Sequence, residues 1–201
     1  MAAISTARRT LVAPVDIAYL EPGLGRGAMP PVALLGRGDG AVLLLRFALP
    51  LPPEAVVLEA YLALRRAPDV EVDPTPVVLH VARVVEPWDG RSVRWALQPR
   101  IDEGFAPATR VAPGWGPIVR LDVRDVVERW RRQSRDEWGV AVVAEGRSRS
   151  GVAFALAPSR EVATAQQEAP LNRSEQSAAS LRSASFDGAA LPVPELELYL
   201  K

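Results

Sequence analysis

The chain has 201 residues, with 24 Lys and Arg balanced by 24 Asp and Glu and a pI of about 6.6, so no overall field draws it to nucleic acid or to acidic membranes. Apolar residues make up 48%, aromatics only 6%, and 19 Pro with 14 Gly suit many short elements joined by turns better than a helical bundle. The absence of cysteine excludes disulfides, thiolate catalysis and Cys-based zinc sites.

A chain of this length buries roughly 70% of its unfolded surface, and one domain over residues 1–201 is the expectation. The segment Met1 to Val12 lacks the apolar core of a classical signal peptide, and no later run is long enough to span a membrane. The expected location is therefore the cytoplasm, or release as part of an assembly. Lys201 is the only lysine, and arginine richness of this kind reflects codon supply before it reflects phosphate binding.

Val15 to Leu20 reads as a first short strand, followed by the Gly- and Pro-rich loop Glu21 to Pro31. Its Gly23-x-Gly25-x-Gly27 run is no phosphate loop: no Lys-Ser/Thr follows, and Pro30-Pro31 block the helix that would hold the anion. Ala41 to Leu49 is apolar apart from Arg46. Ala55 to Arg66 has period two, with Val56, Leu58, Ala60, Leu62 and Leu64 on one face.

Asp69-Val-Glu-Val-Asp73 puts carboxylates at every other position, but Pro74 follows where a calcium loop needs a sharp glycine turn, so a solvent-facing acidic turn is expected. Val77 to Glu86 is a strand with two apolar faces. His80, the only histidine, stands mid-strand and is read as a packed or edge residue without a catalytic or metal role.

Next comes Trp88-Asp-Gly-Arg-Ser-Val-Arg-Trp95, two tryptophans around an Asp-Gly turn, placed to clamp the end of a sandwich because each indole buries a large area and needs an N–H partner. Trp115 lies between two glycines and two prolines in Pro113-Gly-Trp-Gly-Pro117, outside regular structure and therefore the aromatic expected to be exposed.

Ile118 to Val123 is a strand that runs into a change of period. Val123, Val126, Val127 and Trp130 fall at i, i+3, i+4 and i+7, Asp122 can cap, and Asp125 sits where negative charge favours the helix dipole. Arg129, Arg131, Arg132 and Arg135 suit the last turn and its exit, so the basic cluster belongs to the helix and no nucleic-acid partner is expected. Trp138 to Glu145 and Gly151 to Leu156 read as a hairpin around Glu145 to Ser150. From Ser159 to Ala190 the composition turns to Ala, Ser, Gln, Glu and Arg, an inserted polar loop of a length that is usually functional or ordered by a partner. Val193 to Lys201 closes the chain, with Leu196, Leu198 and Leu200 facing the core and Glu195, Glu197 and Tyr199 facing water.

Taken together, Leu43 to Phe47, the run ending at Leu64, Trp88 to Trp95, Asp122 to Trp130, Glu137-Trp-Gly-Val-Ala-Val-Val143, Phe154 to Glu161 and Pro194 to Tyr199 resemble the DNRLRE domain in the same order over nearly the whole chain. The resemblance implies an all-β, antiparallel, jelly-roll-like sandwich with one short amphipathic helix, and a non-catalytic role. Relatives in that family include modules that bind acidic polysaccharide.

The expected function is accordingly an interaction module, a structural or accessory subunit docking onto a larger bacterial assembly such as a phage-like or tail-like particle or a surface layer, and not an enzyme. The alternative is a module for acidic polysaccharide, for which Trp115, Arg91 and Arg94 are the candidate ligand-binding residues, since such a ligand calls for arginines beside an aromatic platform. Neither a cofactor nor a metal is expected. Paired carboxylates such as Asp102-Glu103 and Asp136-Glu137 occur on any charged surface and identify no hydrolase.

Overall fold

Strand β4 (Val42–Phe47) sets the plan of the molecule, because successive side chains of a strand point to opposite faces and nearly all of these are apolar. Leu43, Leu45 and Phe47 enter the main core, while Val42 and Leu44 enter a second, smaller cluster on the other face. A strand apolar on both sides has to lie inside a sheet that is covered twice.

The computed structural model describes residues 7–25, 29–37, 40–49, 51–52, 54–67, 75–102, 104, 107–132, 138–145, 151–156 and 194–201. In it β4 sits between β2 (Pro14–Leu20) and β10 (Val140–Glu145), and the sheet continues through β6 (Val77–Val84) to β7 (Ile101–Asp102), with β8 (Thr109–Val111) also pairing on β6. The facing sheet has the order β1 (Arg8–Val12), β12 (Glu195–Leu200), β5 (Val57–Arg65), β9 (Ile118–Asp122). A short pair, β3 (Val32–Leu35) with β11 (Val152–Ala155), is tied to the end of β5 by an Arg66–Phe154 bridge and by Ala67 N–H donating to the Ala153 carbonyl at 3.0 Å.

Every ladder between these strands is antiparallel, and the chain repeatedly crosses from one sheet to the other in the manner of a jelly roll. The protein is an all-β sandwich with a single short helix among its described residues. Leu62, Leu64, Leu121, Leu196 and Leu198 from one sheet meet Leu43, Leu45, Leu79 and Val142 from the other, all 1% exposed or less. Burying each such leucine is worth roughly 1.5–3 kcal/mol.

The helix, α1 (Arg124–Arg132), follows β9 directly. Arg124 N–H donates to Asp122 Oδ1 at 3.0 Å, and the first helical bond runs from Val127 N–H to the Val123 carbonyl. The four side chains expected inside, Val123, Val126, Val127 and Trp130, are all buried in the main core. Glu128 meets Arg131 and Arg132 on the outer surface at 3.3 and 3.4 Å. Among the described residues no helix is long and apolar enough to cross a membrane.

Three expectations about the strands fail. Trp138 to Glu145 and Gly151 to Leu156 do not form a hairpin: β10 pairs with β4 and β6, whereas β11 pairs with β3. In the run from Ala55, the inward set changes phase, because the register between β12 and β5 shifts across Leu58 and Glu59. Val57 is therefore fully buried in place of Leu58, and Val56 is 52% exposed. Finally, the second face of β12 is not wet. Glu195 and Glu197 are 7% and 2% exposed, and Arg9 of β1 and Arg120 of β9 lie against Glu197. The Asp69–Asp73 carboxylates, Arg135, and the 159–190 insertion lie outside the described residues.

Candidate functional site

The outer face of the six-stranded sheet carries an apolar patch of Ala18, Leu20, Val42, Leu44, Ala82, Val84 and Ala141 that water would otherwise meet. The segment after β6 covers it. Trp88 and Val93, each 7% exposed, lie against the patch with the partly buried Trp95 beside them. The two tryptophans thus seal a sheet face, not the end of the sandwich, because the apolar surface in need of cover lies on the outside of β4 and β6.

Polar contacts hold this segment at several points. Trp88 Nε1–H donates to the Trp138 carbonyl at 2.6 Å, which meets the need of a buried indole for a partner. Arg46, the one charged residue of β4, shares the outward side with Val42 and Leu44. It donates to the Trp88 carbonyl at 3.4 Å, lies 5.6 Å from the centre of the Trp88 ring and pairs with Asp16 at 3.0 Å. Asp16 also accepts the Gly90 N–H at 3.1 Å. The turn comes so close to β2 that a Cβ on Gly90 would run into the Asp16 carboxylate and the Ile17 carbonyl, which is why the Asp-Gly pair stands here. Ser92 and Val93 N–H both donate to the Asp89 carbonyl, and Val85 N–H with the Arg100 carbonyl closes the base of the loop at 3.0 Å.

The fastened loop frames an open cleft of about 530 Å³ whose lining includes Trp88, Asp89, Arg94, Leu97 and Glu86. Arg94 also lines a small hollow of about 10 Å³ whose lining includes Tyr19, Leu20, Met29 and Trp95. Arg94 itself is exposed and borders both recesses. Leu97 in the cleft and Met29 in the hollow are 65% and 46% exposed, unusual for side chains with so much apolar surface.

The carboxylates near the cleft are engaged within the loop. Glu86 accepts the Arg100 N–H at 3.0 Å and lies 3.6 Å from Arg100 Nε, and Asp89 accepts the Arg91 N–H at 2.8 Å. In the lining of the hollow, Tyr19 both donates to the Leu34 carbonyl at 2.9 Å and accepts the Leu34 N–H at 3.3 Å. Burial, reinforced by the nearby Glu21 carboxylate, pushes its hydroxyl up to about 12.

Of the three residues proposed from sequence, only Arg94 lines the cleft. Arg91 is exposed in the adjoining turn. Trp115 is 43% exposed, as its setting predicted, but it belongs to the loop between β8 and β9, where its carbonyl accepts from Arg66 at 2.8 Å, and it borders neither recess. Sequence reasoning missed Leu97 and Met29. The available signal was a leucine set between Ala96 and Gln98 in the short loop segment Trp95-Ala-Leu-Gln-Pro99 and a methionine placed directly before Pro30-Pro31.

Two other polar groupings stand apart from the cleft. His80 Nε2 meets Glu145 Oε2 at 2.9 Å on the surface of β6 and β10. On the outside of the four-stranded sheet, Glu197 accepts from Arg9 at 2.9 Å and from Arg120 at 3.1 and 3.3 Å, bonding three strands together. Burial pushes the Glu197 carboxyl up, but hydrogen bonds from Arg120 and Arg9 together with their charges outweigh it and hold the group below the usual range. Burial and the Glu197 charge push Glu195 in the opposite direction. Among the described residues no three His, Asp or Glu side chains are grouped to hold a metal ion.

No family model matches the chain, and no curated protein is similar enough to it to count as a match.

Proposed function

We propose that the chain is an interaction module without chemistry of its own, a structural or accessory subunit that docks onto a larger bacterial assembly through the Glu86–Pro99 loop. The observation that supports this reading best is a cleft framed by a loop that is hydrogen-bonded at several points, with the exposed Arg94 bordering both it and the hollow, and the exposed Leu97 and Met29 lining one recess each. Arginine, methionine and aromatic residues are enriched at protein interfaces, and a surface fixed before binding loses little ordering entropy on docking. The DNRLRE resemblance agrees with a non-catalytic, binding role.

The test is native gel filtration of the host lysate with mass spectrometry of what co-elutes, repeated with an Arg94→Glu, Leu97→Ser double variant. Elution far above 21.7 kDa that falls to the free monomer in the variant supports docking through this loop. Unchanged co-elution removes the loop from the interface.

Acidic-polysaccharide binding is the second reading, favoured by the two exposed guanidinium groups of Arg91 and Arg94 three residues apart in one loop. Affinity electrophoresis through a polyuronate gel measures it. Retardation that is lost in an Arg91→Ala, Arg94→Ala variant would support this reading.

A further inference from the structure

We infer that the element recognised at this loop is a protein segment carrying a carboxylate with an apolar side chain close by, seated with the carboxylate on Arg94 and the apolar group against Leu97 or Met29. The inference rests on the docking role proposed above and names the chemistry of the partner.

The cleft contains charges of both signs, and they differ in what they bind. Glu86 is bonded to Arg100, and Asp89 to the backbone of its own turn. Arg94 uses its carbonyl for Leu97 N–H at 2.9 Å, which fixes the backbone beneath the side chain, and its exposed guanidinium makes no ion pair with the described residues. The loop's acids are therefore spoken for within the loop, and the arginine is the group left to meet a charge from outside. A guanidinium offers paired N–H donors that match the two oxygens of a carboxylate.

Polarity alone would fit an acidic glycan equally well; the flanking surface makes the difference. Leu97 presents aliphatic surface in the cleft and Met29 thioether surface in the hollow, the two recesses that Arg94 borders, with Pro87, Val93 and Pro99 continuing it inside the cleft. A sugar uronate brings hydroxyl groups to those positions, and they would lose water there without gaining a partner. A polypeptide brings side chains that alternate along an extended backbone at about 3.3 Å per residue, so a carboxylate and an apolar neighbour one or two residues away reach both surfaces together.

The experiment selects a displayed library of random twelve-residue peptides on the full chain, then measures synthetic winners by fluorescence anisotropy. Winners are expected to share Asp or Glu within two residues of Leu, Met, Phe or Pro. Binding should weaken at least tenfold with Arg94→Glu and several-fold with Leu97→Ser, and peptides with Lys in place of the acid should bind the Arg94→Glu protein better than the original. Thermal unfolding of both variants at the wild-type temperature shows that the loop is intact.

Winners without a carboxylate, winners indifferent to Arg94→Glu, or no winners at all overturn the inference. If native partners still co-elute in an Arg94-dependent manner in those cases, the docking role survives and only the partner chemistry is wrong. Arg94-dependent binding of polyuronate alone overturns both in favour of the glycan reading.

Discussion

Replacing Glu197 with Gln tests how the four-stranded sheet is fastened. Its carboxylate is 3% exposed and receives three hydrogen bonds from Arg9 on β1 and Arg120 on β9. Removing one member of a buried ion pair costs about 3–5 kcal/mol when the charge left behind stays buried. Here the two arginine side chains are 49% and 48% exposed, so water takes them up again and the loss drops to about 2–3 kcal/mol. For a chain of this size that lowers Tm by roughly 4–12 °C. The readout is urea unfolding from pH 3 to 8. Glu197 titrates lower in the fold than in the unfolded chain, where a Glu has a pKa of about 4.3. Its contribution is thus complete above that unfolded value and disappears as pH falls through the lower folded one. The difference between wild type and variant should be flat from pH 8 to about 5 and shrink in stronger acid. A loss under about 0.5 kcal/mol at pH 7, or a difference that grows on acidification, would refute the reasoning.

Glu195→Gln should act in the opposite sense: the folded protein disfavours the charged form, so the variant gains Tm at pH 7 and matches wild type in acid, as calorimetry at the two pH values would show. Trp88→Ala removes the lid of the outer apolar patch and the donor to the Trp138 carbonyl, and should cost about 3–5 kcal/mol in denaturant unfolding; a cost below about 1 kcal/mol would mean that the loop is not fastened as described. Tyr19 keeps its proton in the fold up to about 12, so its contribution is whole below the unfolded value of about 10 and declines as pH rises towards 12; Tyr19→Phe should flatten that alkaline decline.

The sequence made the architecture visible wherever period and burial coincide. The run at Leu43 to Phe47, apolar apart from Arg46, and the helix through Val123, Val126, Val127 and Trp130 lie as their spacing requires. The strands it concealed are β1, β3, β7 and β8: Arg-Arg-Thr-Leu-Val is too polar, and the other three, of two to four residues, are too short to stand out from loops. Partner choice was the larger gap: neighbours in these sheets are seldom neighbours in sequence, so β11 next to β3 and the phase shift at Leu58 and Glu59 had no local signature. Glu197 misled for a related reason, since Arg9 and Arg120 come from distant parts of the chain to cover it. At the candidate site, Arg94 and the tryptophan turn were legible. Met29 and Leu97 were not, because exposure of an apolar side chain depends on what fails to pack on it.

The position of β12 between β1 and β5 has a consequence for how the molecule is assembled in time. Arg8 pairs with Leu200, nearly the whole chain away, and β12 is the last of the strands to leave the ribosome. Until it arrives, β1 has no ladder to join, and the inner edge of β5 is open to any strand that passes. Contacts between such distant residues form slowly. An arrested chain that stops short of Glu195 therefore lacks not a tail but the centre of one sheet, and it should be the species that chaperones retain.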